Sequence, residues 1–171
     1  MTVSFTNGFW YNICVKRFDV YVETSVWGAA ANVEPAYYHD AAAKLLARTD
    51  AYNFYLSRVV TEEITAAAAP VRALIEGVII ACRPAELGVT SDVLALADEY
   101  LRRGIFPPQY GNDALHVAVA SYYAMDYLVS YNFKHIVRVS RRELVKSANV
   151  ILGYNTPMIV SAEELAEETE E

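Results

Sequence analysis

Apolar residues along this chain recur with two periods, close to two and close to three or four. The changes between them divide it into short strands separated by helices. Asp19 to Glu23 sets Val20, Tyr21 and Val22 between acids and predicts a first strand. Pro35 to Arg48 places Ala41, Leu45 and Leu46 on one helical face. Tyr55 to Val60 is apolar enough for a second strand, although Ser57 equally suits the start of a helix. Thr61 to Ala69 is alanine-rich behind two acids and predicts a helix that Pro70 ends or restarts. Val78 to Ala81 is expected as a third strand. Ser91 is expected to cap a helix running to Arg103, with Gly104 as its stop. A long helix from Asp113 to Met125, a strand from Tyr127 to Ser130 and a last strand from Met158 to Val160 follow, before an acidic tail at Glu163 to Glu171 expected as a solvated or frayed helix.

The helix from Asp113 is almost wholly apolar, yet it opens on a carboxylate and carries His116 one turn later on the same face. An unpaired charge in such a helix costs several kcal/mol, so Asp113 asks for a partner. Two readings stand. Asn112 or Asp113 caps the helix, gaining roughly 0.3–1 kcal/mol from the macrodipole, with His116 a satisfied core residue, or the pair belongs to a site. The strand that follows ends in Ser130, Asn132 and His135, so polar groups gather where it stops.

Short apolar strands separated by helices define an α/β protein with a parallel sheet covered on both faces. Ligands in such sheets bind beyond the carboxyl ends of the strands. Glu23 ends the first strand, Glu62 and Glu63 open the helix after the second, Asp113 opens the helix leading to the fourth, and Asn132 follows that strand. These groups meet if their strands are neighbours.

With 171 residues the chain suits one domain, and no internal repeat or linker divides it. No apolar run reaches the roughly 18 residues of a membrane span, and residues 1–18 lack the layout of a signal peptide, so a cytoplasmic location is expected. Cys14 and Cys82, the only two cysteines, have neither disulfide-framework nor zinc-ligand spacing. The net charge of −7 gives no general attraction to phosphates, so any nucleic-acid binding must be local. Lys134, Arg138, Arg141, Arg142 and Lys146 form the one basic cluster, read either as a contact for RNA or as a solvated helix face. No glycine-rich phosphate loop is present, and no nucleophile-elbow pattern surrounds Ser25, which argues against dinucleotide binding and against a Ser-His-Asp hydrolase.

Four segments in order resemble the PIN-domain family, in the branch of VapC-like toxins of type II toxin–antitoxin systems. They are Val20-Tyr-Val-Glu-Thr-Ser-Val26, Ser57-Arg-Val-Val-Thr-Glu-Glu-Ile64, Asp113-Ala-Leu-His-Val-Ala118 and Asp126-Tyr-Leu-Val-Ser-Tyr-Asn-Phe-Lys-His-Ile136. Gly153-Tyr154 and Pro157 to Leu165 are similar to the closing segment of that branch. The likeness covers residues 19–165 and leaves 1–18 as an N-terminal extension and 166–171 as an acidic tail. It implies a doubly wound α/β/α sandwich with a mostly parallel sheet of four or five strands, and a metal-dependent endoribonuclease. The acids of the family fall on Glu23, Glu63, Asp113 and, for the fourth, Asn132. Glu for Asp at the first position keeps the charge and adds a methylene; Asn at the fourth keeps an oxygen and loses the charge.

Mg²⁺ or Mn²⁺ takes oxygen ligands and needs only two or three carboxylates beside a substrate phosphate. Glu23, Glu63 and Asp113 are the expected metal set, with Asn132 as a neutral ligand or water anchor. Close carboxylates repel, so at least one should be hard to ionise without metal. Glu62 competes with Glu63, because only one of two adjacent helix residues can face the site. Thr24, Ser25 and Ser130 either hold the carboxylates or a phosphate, or cap turns. His116 is expected as support behind the acids, His135 as a phosphate contact or a structural residue. The resemblance further implies an RNA substrate, a small antitoxin protein as partner, and a homodimer. The alternative is a PIN-fold binding module for RNA or protein that has lost catalysis with its fourth acid and works through the basic cluster.

Overall fold

A computed structural model describes residues 17–33 and 35–168. The sheet has five strands in the order β3-β2-β1-β4-β5, formed by β1 (Phe18–Val22), β2 (Tyr52–Ser57), β3 (Ala85–Leu87), β4 (Tyr127–Val129) and β5 (Met158–Val160), and every ladder is parallel. Central β1 buries Val20, Tyr21 and Val22 completely, as a strand covered on both faces must. The helices are α1 (Thr24–Ala30), α2 (Ala36–Ala47), α3 (Arg58–Ala66), α4 (Ala69–Cys82), α5 (Ser91–Arg102), α6 (Gly111–Tyr122), α7 (Val139–Leu152) and α8 (Ala162–Glu168). This is the parallel α/β architecture that the pattern predicts, doubly wound as the resemblance implies.

The chain winds outward from β1 through β2 to β3, then returns to lay β4 against the other side of β1. The direction of winding therefore reverses between β1 and β4. At such a switch point the loops leaving two adjacent strands part and open a crevice at their carboxyl ends. Glu23 and Ser130 follow directly on those two ends.

Helix α6 buries Ala114 and every residue from His116 to Ser121, which explains its lack of a polar stripe. Helix α5 is amphipathic instead and turns Val93, Leu96, Ala97 and Tyr100 inward. A buried polar network joins α5, α6 and α7. Asn149 donates to Ser121 Oγ (3.0 Å) and to the Asn155 carbonyl (3.1 Å), and accepts the Tyr100 hydroxyl.

Several expected elements shift. Val78 to Ala81 is not a strand but the last turns of α4, and the third strand is Ala85–Leu87. A run of Val and Ile does not distinguish a strand from a helix by period, and β3 is a short, largely exposed edge strand with no apolar alternation to announce it. Strand β2 begins at Tyr52 and stops at Ser57, so Arg58 to Val60 are helical and Ser57 does precede a helix. Thr90 rather than Ser91 caps α5, its hydroxyl accepting from the Val93 N–H. Two helices carried no signal of their own. Helix α1 is seven residues long with Gly28 inside it, and α7 has only Val145, Ala148 and Asn149 buried, so its pattern is weak. Gly153 ends α7 at φ 78°, a conformation that favours glycine. The expected N-terminal extension lies, for residues 1–16, outside the described residues, and so do residues 169–171 of the acidic tail.

Candidate functional site

Strand β1 delivers Glu23 to the crevice, where its backbone N–H continues the ladder to the Val129 carbonyl (3.0 Å) before the chain turns into α1. The carboxylate is buried, and Oε2 accepts the hydroxyls of Ser25 and of Ser130 (2.8 Å). Glu63 reaches the same place from α3. Its Oε2 accepts the Thr24 hydroxyl and faces His116 Nε2 at 3.2 Å, and its Oε1 accepts from Asn112 Nδ2 (2.8 Å). Glu62 points to solvent and pairs with Arg58 at 2.7 Å, so of the two adjacent acids it is Glu63 that faces the crevice. The three hydroxyls hold carboxylates.

His116 is fully enclosed between these groups. Nε2 lies 3.2 Å from Glu63 Oε2 and 3.9 Å from Glu23 Oε1, while Nδ1 is 2.8 Å from the Tyr21 hydroxyl, itself 2.7 Å from Ser57 Oγ. When His116 is protonated, Nδ1–H donates to the Tyr21 oxygen, and the Tyr21 hydroxyl donates in turn to Ser57 Oγ. When it is neutral, with the proton on Nε2, Tyr21 donates to Nδ1. Burial, reinforced by the charges of Glu23 and Glu63, pushes the Tyr21 hydroxyl far above its usual range, so it remains a phenol that relays hydrogen bonds. Tyr21 and Ser57 escaped the sequence reading. The signal was there for Tyr21, which shares a sheet face with Glu23 by the period of two.

Asp113 lies one turn before His116, in the first turn of α6. Oδ1 accepts from Asn132 Nδ2 (3.0 Å), whereas Oδ2 is buried with no hydrogen-bond partner. Asn132 Oδ1 accepts the His135 N–H (3.1 Å). The amide therefore turns its NH₂ toward the acid and spends its oxygen on the loop. Burial raises the Asp113 carboxyl above its usual range and the charge of Glu23 adds to this, while His116, His135 and Asn132 offset part of it. Asp113 is thus the acid of the group that is hard to ionise, chiefly because it is buried and only secondarily because Glu23 repels it.

Glu63 shifts the other way, down to about 2. Burial alone would raise it, but the hydrogen bond and charge of His116, then Thr24 and Asn112, outweigh that. His116 moves above its ordinary 6.5, since burial is outweighed by the Glu63 hydrogen bond and by the charges of Glu23, Glu63 and Asp113. The linkage follows in sign. Ionised Glu63 stabilises the fold above about pH 4.5, and this is lost as pH falls toward 2; protonated His116 stabilises it below about pH 6.5, and this is lost as pH rises through its higher folded value. Urea midpoints in EDTA are expected to be highest between these limits and to fall on both sides. Glu63→Gln should flatten both flanks, and unchanged slopes would mean that the pair is not coupled.

Ligand atoms of Glu23, Glu63 and His116 all lie within 4.8 Å of one another. His116 thus takes the place in this group expected for Asp113, which lies one turn before it on α6, feels the charges of His116 and Glu23, and keeps its unsatisfied oxygen. The oxygen-rich donor set and the orphaned Oδ2 fit a hard divalent cation. The basic cluster does not form one face. Arg142 pairs with Glu164 at 3.0 Å and Arg141 packs over the Phe106 ring at 5.1 Å, which leaves Lys134, Arg138 and Lys146 facing solvent.

A five-stranded parallel sheet in this order is a fold that the chain shares with solved VapC structures. The chain is similar to VapC20 of Mycobacterium tuberculosis, a sarcin-ricin loop cleaving toxin, with TM-score 0.54 and 21% identity over 68% of this chain and 92% of that one. It is also similar to VapBC2 of Rickettsia felis, solved bound to a DNA fragment from its promoter, with TM-score 0.52 and 17% identity over 84% and 98% of the two chains. No family model and no curated protein matches the sequence. Among the described residues no helix is long and apolar enough to cross a membrane.

Proposed function

We propose that this protein is a Mg²⁺- or Mn²⁺-dependent endoribonuclease and the toxin of a toxin–antitoxin pair, acting in the cytoplasm through a single domain spanning residues 19–165. The observation that supports the reading is the grouping of Glu23, Glu63 and His116 within 4.8 Å of one another at the switch point, with Asp113 one turn before His116 keeping a buried carboxylate oxygen unsatisfied. Glu23, Glu63 and Asp113 would hold the cation, which supplies charge neutralisation at the phosphodiester and activation of the attacking oxygen.

The remaining residues position these acids. Ser25 and Ser130 orient Glu23, Thr24 and Asn112 orient Glu63, and Asn132 orients Asp113. His116 keeps a proton between the two glutamates and, through Tyr21 and Ser57, ties them to β1 and β2. His135 secures the loop that carries Asn132.

An apolar groove of about 400 Å³ between α1, α2 and α4, lined by Ala30, Leu46, Val78 and Cys82, supports a small antitoxin as partner. Leu74 and Ile80 stand exposed on α4 as well. Exposed Val150 and Ile151 on α7 suit a second copy in a homodimer.

The test is cleavage of a mixed pool of cellular RNAs by purified protein with Mg²⁺, Mn²⁺ or EDTA, beside Glu63→Gln. Cutting that requires the metal and disappears in the variant is expected. A folded wild type that leaves every RNA intact would turn the reading to the binding module.

A further inference from the structure

A second cavity opens at the amino ends of β1, β2 and β3, across the sheet from Glu23 and the crevice. Strand β3 pairs with β2 only from Tyr55 to Ser57, so within the sheet it leaves the outer edge of β2 uncovered at Tyr52, Asn53 and Phe54. The space there measures about 350 Å³ and is lined by Arg17 ahead of β1, Thr49 ahead of β2, Tyr52 and Tyr55 on β2, and Arg83 and Ala85 at the entry to β3. That volume lies at the lower end of the range for small-molecule sites.

Two features set this cavity apart. The first is its charge. The chain carries a net charge of −7, and Arg48, Arg58, Arg72, Arg102, Arg103 and Arg142 each pair with a carboxylate. Among the described residues Arg17 and Arg83 pair with none, although acids are plentiful, and both line the same space. Arg17 donates to the Thr49 carbonyl (3.1 Å), which fixes it at the rim. Arg83 closes α4 at φ 53°, a left-handed conformation that costs a non-glycine residue free energy. Asp19, the acid on β1 at this end, already accepts from Asn53 (2.9 Å) and Tyr55 (3.2 Å).

The second feature is a stranded hydroxyl. Tyr52 is 2% exposed, and its hydroxyl is buried with no hydrogen-bond partner among the described residues. A buried donor without a partner destabilises the fold unless something else satisfies it.

We propose that this cavity binds a phosphate group, free or carried by a small molecule. Two guanidinium groups match the charge of a phosphate monoester, about −1.5 to −2 at neutral pH, and their planar forks match its oxygens. The Tyr52 hydroxyl donates to a further oxygen and is thereby satisfied. A carboxylate brings one charge and two oxygens, too few for all three groups.

Isothermal titration in EDTA at fixed ionic strength tests this with inorganic phosphate, phenyl phosphate and benzoate, on the wild type, Tyr52→Phe, Arg17→Gln, Arg83→Asn and Arg138→Gln. Asparagine tolerates the left-handed turn at position 83, and Arg138, exposed ahead of α7, reports the effect of general charge. Phosphate is expected to bind at millimolar concentration or below, with benzoate at least about tenfold weaker. Each variant that lines the cavity should weaken phosphate by about tenfold or more, and Arg138→Gln should not. Tyr52→Phe should also melt above the wild type in phosphate-free buffer and lose most of the rise that phosphate gives the wild type. Tighter binding of phenyl phosphate than of inorganic phosphate assigns the site to a phosphorylated molecule, and the reverse assigns it to the free ion. Binding that Tyr52→Phe and Arg83→Asn leave unchanged is that of an adventitious ion only and overturns the proposal, as does a folded wild type that binds neither phosphate.

Discussion

Asp113→Asn is expected to abolish RNA cleavage, by at least about 100-fold, and at the same time to raise the thermal midpoint measured in EDTA. The two effects have one cause. Asp113 gains roughly 0.3–1 kcal/mol from its place in the first turn of α6. Against this stand a buried oxygen without a partner, a penalty of about 1–3 kcal/mol, and the nearby charge of Glu23. The balance is unfavourable, so removing the charge while keeping the shape should stabilise the fold. A gain near 1 kcal/mol would appear as roughly 2–4 °C in a domain of this size. Asparagine keeps an oxygen to accept from Asn132, and because the NH₂ that replaces the orphaned atom is still a buried polar group, the gain comes from removing the buried charge and its repulsion by Glu23. Neither Asn112 nor Asp113 is the cap of α6, which begins at Gly111 after Tyr110, so a lower midpoint would instead mean that the favourable charge of Asp113 in the first turn outweighs the cost of its burial. Cleavage assays with Mg²⁺ and thermal melts in EDTA on the same preparation separate the two.

Trp27→Ala should bring the largest loss of stability, about 3–5 kcal/mol by urea denaturation. That is a substantial part of the roughly 5–15 kcal/mol of a typical domain. Trp27 is wholly buried, and its Nε1–H donates to the Val22 carbonyl at 3.1 Å. It anchors the short helix α1, whose first turn presents Thr24 and Ser25 to the two glutamates. Trp27→Phe keeps most of the apolar volume and loses the hydrogen bond, so it should fall well short of the alanine variant. A midpoint for Trp27→Ala within about 1 kcal/mol of wild type would mean that α1 can settle without its anchor.

How far the site could be read in advance differs from residue to residue. The carboxylate opening an apolar helix was conspicuous because buried charge is rare, and that one anomaly led to Asp113 and His116. The choice between Glu62 and Glu63 came from the resemblance, and the phase of α3 is what turns Glu63 inward and leaves Glu62 on Arg58. The chain from Ser57 through Tyr21 to His116 was missed. Tyrosine and serine in strands are ordinary core and turn residues until a buried imidazole comes within reach. Helix α4 was cut short for a different reason, since an apolar β-branched run carries no period of its own.

The sequence by itself determined the alternation of strands and helices, the burial of β1 and α6 on all sides, and the kinds of side chain available for chemistry. These are local properties, because hydrophobic period and turn residues report how each segment presents itself to a core. Only the tertiary structure decided which segments meet. Ser130 lies 107 residues beyond Glu23 and His116 lies 53 beyond Glu63, and nothing in either neighbourhood specifies the other. Placing β4 beside β1 brings them together, and period records which face is buried without recording what is packed against it.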